Sequence, residues 1–141
     1  MSKGNTFETD MLALIFNGTA IADLAENDTT SPVASLTVAL HTADPGETGT
    51  QSTNETAYTG YARQSVARSA GGWTVTGNSV SPVANINFPE CTASPGAPIT
   101  HMSIGTGVAN KLLYKGTITP SIAVAAGAIP RLKTTTTITE D

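Results

Sequence analysis

The sequence predicts an all-β fold: an antiparallel β-sandwich of about eight strands with one N-terminal helix. Three observations predict it. Thr, Ala, Ser and Gly dominate, while charged residues make up 13% and aromatics 5%. Runs such as Leu36–Leu40 and Thr134–Thr139 are rich in residues branched at Cβ, which fit a pleated surface better than a helix. Gly, Pro and Asn cut these runs at short intervals, as turns between strands require. A jelly roll is one topology that such a strand set takes. The length of 141 residues suits a single domain spanning 1–141. Much of its apolar content is Ala, so large core side chains are few and neighbouring subunits are expected to add stability.

The helix is expected over Asn5–Asn17. Asn5 can cap it, Glu8 stands at the capping-box position, and Gly18 supplies a left-handed stop. Phe7, Met11, Leu14 and Ile15 fall near one face, with Leu12 and Phe16 to its side. That wide arc fits either a helix lying across the sandwich or one that docks into a neighbouring subunit. Ile21–Ala25 adds a further turn before the polar stretch Glu26–Ser31.

Ser35–Thr42 alternates, with Leu36, Val38 and Leu40 inward and Thr37, Ala39 and His41 outward. The following loop, Ala43–Ala57, opens with the turn signature Asp44-Pro45-Gly46 and is long, polar and acidic; such loops are functional or mobile. Further strands are read over Tyr58–Ser69, Trp73–Thr76, Ser79–Phe88, Ile99–Ile104, Lys111–Thr119, Ile122–Ala126 and Leu132–Thr139. Gly71-Gly72 and Gly77-Asn78 act as turns, and Pro120 as an interruption. The expected core is Leu36, Val38, Leu40, Val66, Trp73, Val75, Ile86, Phe88, Ile104, Leu113 and Ile118.

A net charge of −4 argues against a nucleic-acid partner, which needs a clustered basic surface. The charge is unevenly spread: Lys3 alone faces eight carboxylates up to Ala57, whereas six cations face three carboxylates from Tyr58 onward. Such halves either solvate different loops or steer contacts between copies. Cys91 is the single cysteine, so no intrachain disulfide forms. The opening Met1–Asn5 lacks the apolar core of a signal peptide, and Met11–Phe16 is too short to span a bilayer. Synthesis in a reducing cytosol, with no membrane partner, is the expectation.

Catalytic chemistry finds little to stand on. His41, Asp44 and Glu47 are spaced three apart, but a proline–glycine turn separates the imidazole from Glu47, so no metal site is read; a calcium ion on the acidic loop stays open. Cys91 reads as an inert small hydrophobe, and neither it nor His41 nor His101 has a convincing partner in the sequence. No Gly-X-Ser-X-Gly elbow or phosphate loop appears. Tyr58, Tyr61, Trp73 and Tyr114 could stack on sugar rings if exposed together, but are read mainly as core. No catalytic residue and no cofactor are assigned.

The runs Phe7–Ala20, Leu40–Gly46, Asn54–Tyr61, Gly72-Trp73 and Ile138–Asp141, in this order, resemble a family of small structural proteins of tailed bacteriophages, commonly labelled tail-fibre proteins. Capsid cement and decoration proteins are similar in size and β content. The resemblance implies a non-enzymatic virion protein without catalytic residues. A compact chain with no repetitive shaft, a docking helix and oppositely charged halves is read as a capsid cement protein, stabilising contacts between major capsid subunits on the capsid surface. Its partners are then the major capsid protein and copies of itself, with Phe7, Met11, Leu14, Ile15, Asp44, Glu47 and Glu55 as contact residues. The alternative is a tail-fibre or tail-attached adsorption module whose partners are tail proteins.

Overall fold

The computed structural model describes residues 5–21, 33–93 and 96–140. The possible Asn5 cap and the readings of residues 22–31 therefore lie outside the described side chains and residues. Among the described residues are one N-terminal helix and nine strands, and the all-β class read from the sequence holds. The chain builds two compact units from separated stretches: one from the N-terminal part to Ser35, Val66–Asn85 and Lys133 onward, the other from Leu36–Ser65 and Ile86–Leu132.

In the first unit, α1 (Asn5–Leu12) continues as a π-helical turn over Ala13–Asn17 and stops at Gly18, whose φ of 69° is the left-handed conformation expected there. The last turn leaves carbonyls without helical partners. Arg68 covers two of them, donating from Nε to the Ile15 carbonyl (2.7 Å) and from Nη2 to that of Leu14 (2.6 Å). Leu12 and Phe16 are fully buried, and the Phe16 ring meets Trp73 edge-on at 4.9 Å. Strands β3 (Trp73–Thr76) and β4 (Ser79–Pro82) form a hairpin around Gly77-Asn78, and β9 (Ile138–Thr139) pairs with β4.

The second unit holds most of a four-stranded sheet ordered β2 (Gln64–Ala67), β1 (Ser35–His41), β6 (Ile99–Gly105), β7 (Leu112–Ile122). A small antiparallel pair, β5 (Ile86–Asn87) with β8 (Arg131–Leu132), completes it. Leu36, Val38, Ala39, Leu40, Tyr58, Ile86, Phe88, Cys91, Ile99, Met102, Ile104, Val124 and Leu132 are its buried apolar side chains. Of the expected core, Val66, Val75, Leu113 and Ile118 are only half-buried, and Leu12, Phe16 and Val80 take their place in depth.

Several strand readings are corrected. Tyr58–Ser69 shrinks to β2 because the Tyr61 N–H donates to the Tyr58 carbonyl in a turn. Ser79–Phe88 splits after Pro82, which has no N–H with which to extend a ladder, and resumes at Ile86. Leu132–Thr139 breaks because Thr136 closes a turn onto the Lys133 carbonyl, overriding the β preference of its threonines. Conversely, β7 runs straight through Pro120, which an edge strand tolerates.

Candidate functional site

Alternation along β1 and β6 gives their sheet two unlike faces. Leu36, Val38 and Leu40 share one face with Met102 and Ile104; Thr37, Ala39 and His41 share the other with His101, Ser103 and Gly105. The second face was expected to meet solvent. Instead His41 and Ser103 are fully buried, because the loop from Thr42 to Ala57 folds back as a roof. A polar face can be covered only if its groups find partners.

They do. Gln51, itself fully buried, donates from Nε2 to the Thr37 carbonyl (3.0 Å) and accepts at Oε1 from the Thr37 hydroxyl (2.7 Å). Its amide also reaches Ser103 Oγ at 3.4 Å. Gly105 leaves the room this needs: a Cβ there would collide with the Gln51 amide and with the Lys111 carbonyl. His41 Nδ1 lies 2.9 Å from the Thr53 carbonyl, which can only accept, so Nδ1 carries the proton. Nε2 is then the acceptor for the Ser103 hydroxyl at 2.7 Å. Burial holds the imidazole pKa below its ordinary value, partly opposed by the Thr53 hydrogen bond.

The roof is tied at both ends. At its far end Glu55 accepts a bidentate pair from Arg63, Nε to Oε1 and Nη2 to Oε2, both 2.7 Å. Arg63 also donates to Asn110 Oδ1 and Ser52 Oγ. Tyr61 donates to Glu55 Oε1 (2.9 Å) and accepts the Leu40 N–H (3.1 Å). Glu55 raises the Arg63 pKa, and burial pushes the Tyr61 phenol well up. At the near end Asp44 Oδ1 accepts the Gly46 N–H, and Asn54 Nδ2 donates to the Asp44 carbonyl. Lys115 on β7 reaches Asp44 at 3.2 Å and Glu47 at 2.9 Å. The Gly46 N–H first, and Lys115 second, hold the Asp44 carboxyl below its usual range; Glu47 and then Asp44 raise the Lys115 ammonium.

The expected contact residues thus fall into three settings. Asp44 and Glu47 share Lys115 at the exposed turn of the roof, while Glu55 is turned inward onto Arg63. Phe7 is 37% exposed, and Met11, Leu14 and Ile15 are half-buried around the Leu12–Phe16 stripe. His41 is corrected twice: it points under the roof, and it has two partners. The sequence reading passed over Gln51, Ser103, and the role of Arg63 and Tyr61.

Serine hydrogen-bonded to a histidine acceptor is the arrangement of an activated nucleophile. Here both side chains are fully buried beneath the roof, so the pair cross-links sheet and loop. Neither ring nitrogen is spare for a metal, and among the described residues no cluster of His, Cys, Asp and Glu converges as a metal site. His101, opposite His41 in the register, lies instead against Thr100 and Thr117 hydroxyls.

No curated protein matches the chain. The family model described as Podophage GP4 fiber I protein gp80 matches residues 2–139, nearly the full length of a mostly antiparallel β chain. By that match the chain belongs to the podophage GP4 fiber I protein gp80 family, a phage tail-fibre type of structural protein.

Proposed function

We propose that this protein is a component of a podophage tail fibre that works by contact with other virion proteins, without catalysing a reaction. The observation that carries the reading is the full-length family match, whose description names a fibre. That description favours the tail-attached alternative over the capsid cement drawn from the chain's compactness. The roofed face supports a non-enzymatic role, since its one pairing with catalytic form is sealed and used to hold a loop.

On this reading, Phe7, Met11, Leu14 and Ile15 offer apolar contact to a neighbouring tail protein, and Asp44 and Glu47 contribute charge that sets orientation and rate more than affinity. Glu55, committed to Arg63, acts through the shape of the roof. Gold-labelled antibody against the protein, imaged on purified particles, tests the location. Label on the tail, with a copy number matching a few fibres, is the expected result; label spread over the capsid surface restores the cement reading.

A further inference from the structure

Hydrogen bonds under the roof run in one direction, and an added proton has no place in them. The Thr53 carbonyl takes the His41 Nδ1 proton, and the Ser103 hydroxyl gives its own to His41 Nε2. Ser103 Oγ in turn receives the Gln51 amide. That amide cannot turn over to offer its oxygen, because its nitrogen faces the Thr37 carbonyl and its oxygen takes the Thr37 hydroxyl. A proton on Nε2 therefore sets two donors against each other. Ser103 has to turn its hydroxyl away, and among the described residues it has no second acceptor. Both side chains are fully buried, so the new charge and the stranded hydroxyl are also kept from water.

The charges around His41 do little to relieve this. On β6, His101 stands opposite in the register, and a charge there opposes one on His41. In the roof, Glu55 favours a cation, but both its oxygens are held by Arg63, whose own charge opposes one. Tyr61, beside them, is an uncharged phenol. On β7, Lys115 is matched by Asp44 and Glu47 at the rim.

The roof is also built to lift without the sheet. It carries no large apolar side chain from Ala43 to Ala57, so raising it exposes little of the surface whose hydration costs most. The sheet keeps Leu36, Val38 and Leu40 buried on its other face. Gly46 and Asn54 hold left-handed φ values of 77° and 54° at the two ends of the central stretch, where changes of backbone angle are taken up. Below them the base stays closed: the Thr42 N–H donates to the Asn54 carbonyl, and Asn54 Nδ2 to that of Asp44. Between them, the ties outward are those of the Gln51 amide, the Gln51 N–H to the Asn110 carbonyl, Arg63 to Ser52 Oγ, and Lys115 to Glu47. All are polar groups that water satisfies when the stretch rises.

We propose that residues 47–52 form an acid-opened flap: a proton taken up at His41 releases Gln51 and lifts this stretch, while β1 and β6 stay paired. The sign follows from linkage. Burial holds the imidazole below its ordinary value of 6.5 in the closed form, and opening restores it. The open form thus binds more protons, so acid favours opening below that value and has little effect above it. At pH 5 this coupling increases opening by up to about thirtyfold.

The inference does not depend on where in the virion the protein sits. Its test is amide exchange followed by NMR on the full chain at pH 7 and pH 5, corrected for intrinsic rates, with the imidazole nitrogen shifts of His41 read alongside. Protection of the Gln51 amide should fall about tenfold on acidification, while the β1–β6 ladder keeps its protection and His41 gains its charge over the same range. Equal loss in the ladder, unchanged protection at Gln51, or a His41 that stays neutral while Gln51 is released overturns the flap. His41→Gln, which keeps an acceptor for Ser103 but takes no proton, should abolish the acid step. A folded His41→Gln protein that opens like wild type overturns the proposal too; if that variant does not fold, the wild-type exchange and nitrogen shifts decide.

Discussion

The helix seat and the roofed sheet face bury side chains by opposite means. Around Leu12, Phe16 and Trp73 the large buried side chains are mainly apolar, and the cohesion between them is non-directional. Under the roof, His41, Gln51 and Ser103 are buried only because each hydrogen-bonds to a fixed partner, and half-buried Thr37 supplies one of them. The first kind of contact tolerates a swap of shape and loses stability in proportion to volume removed. The second tolerates almost no substitution, and through His41 it carries a dependence on pH. One chain therefore seats a helix mainly by size, with Arg68 closing its end, and holds a loop by hydrogen bonds.

The largest effect is expected at the helix seat. Phe16→Ala removes a fully buried ring from its edge contact with Trp73 and should cost about 3–5 kcal/mol, measured by urea unfolding. Leu12→Met should cost under about 1.5 kcal/mol, because volume is nearly kept. Equal losses in the two variants would show that this seat is as specific as the roof, and would break the comparison.

His41→Ala comes next, at about 2–4 kcal/mol, since it strands the Ser103 hydroxyl and the Thr53 carbonyl in a buried space. The cost follows from the two partners that the sequence alone did not give His41. The wild-type protein should also lose stability with acid. The folded imidazole has a lowered pKa, so the unfolded chain binds more protons in the window below the ordinary histidine value of 6.5. The His41 contribution is complete above that value and is lost as pH falls through the window. Unfolding midpoints compared between pH 7 and pH 5 should differ less in His41→Ala than in wild type; an unchanged difference would remove His41 as the sensor.

Glu55→Gln should cost less, about 1–2 kcal/mol by the same measurement, because the pair with Arg63 keeps some solvent exposure (21% and 17%) and the amide retains one acceptor. Hydrogen exchange over residues 50–57 should quicken. A variant that loses stability without faster exchange there would assign Glu55 to the sheet rather than to the roof.

The contrast also explains what was legible in the sequence. Some local signals held: the helix runs to Asn17 with Gly18 as its stop, and Ser35–Thr42 and Trp73–Thr76 match strands within a residue, whereas the strand read over Ile122–Ala126 is absent beyond Ile122. Alternation correctly put Leu36, Val38 and Leu40 on one face, but it could not say what covers the other. That depended on a fifteen-residue loop whose cohesion lies in Gln51 reaching Thr37 and Glu55 reaching Arg63, pairs invisible to any periodicity. A polar loop reads as mobile until its partners are placed. On the helix, the error was one of rotation: Leu12 and Phe16, set to the side of the apolar arc, form the buried stripe, and Phe7, chosen for the face, is exposed.

The smallest effect is predicted for the roof's exposed end. Lys115 bridges Asp44 and Glu47, but all three side chains retain contact with water, and Glu47 is 89% exposed. Ion pairs of this kind add little to stability because solvent and salt screen them. Lys115→Met, which keeps the aliphatic stem against the strand, should leave the unfolding midpoint unchanged. Its signature is electrostatic. Losing the ammonium should move the Asp44 pKa upward, yet leave it below the ordinary carboxylate value, because the Gly46 N–H is the larger of the two causes and remains in place. A carboxylate titration followed by NMR reads that shift directly. If Lys115→Met instead frees residues 42–57 to rapid exchange, the exposed pair rather than the buried hydrogen bonds holds the loop, and the distinction drawn between chemistry under the roof and charge at its rim fails.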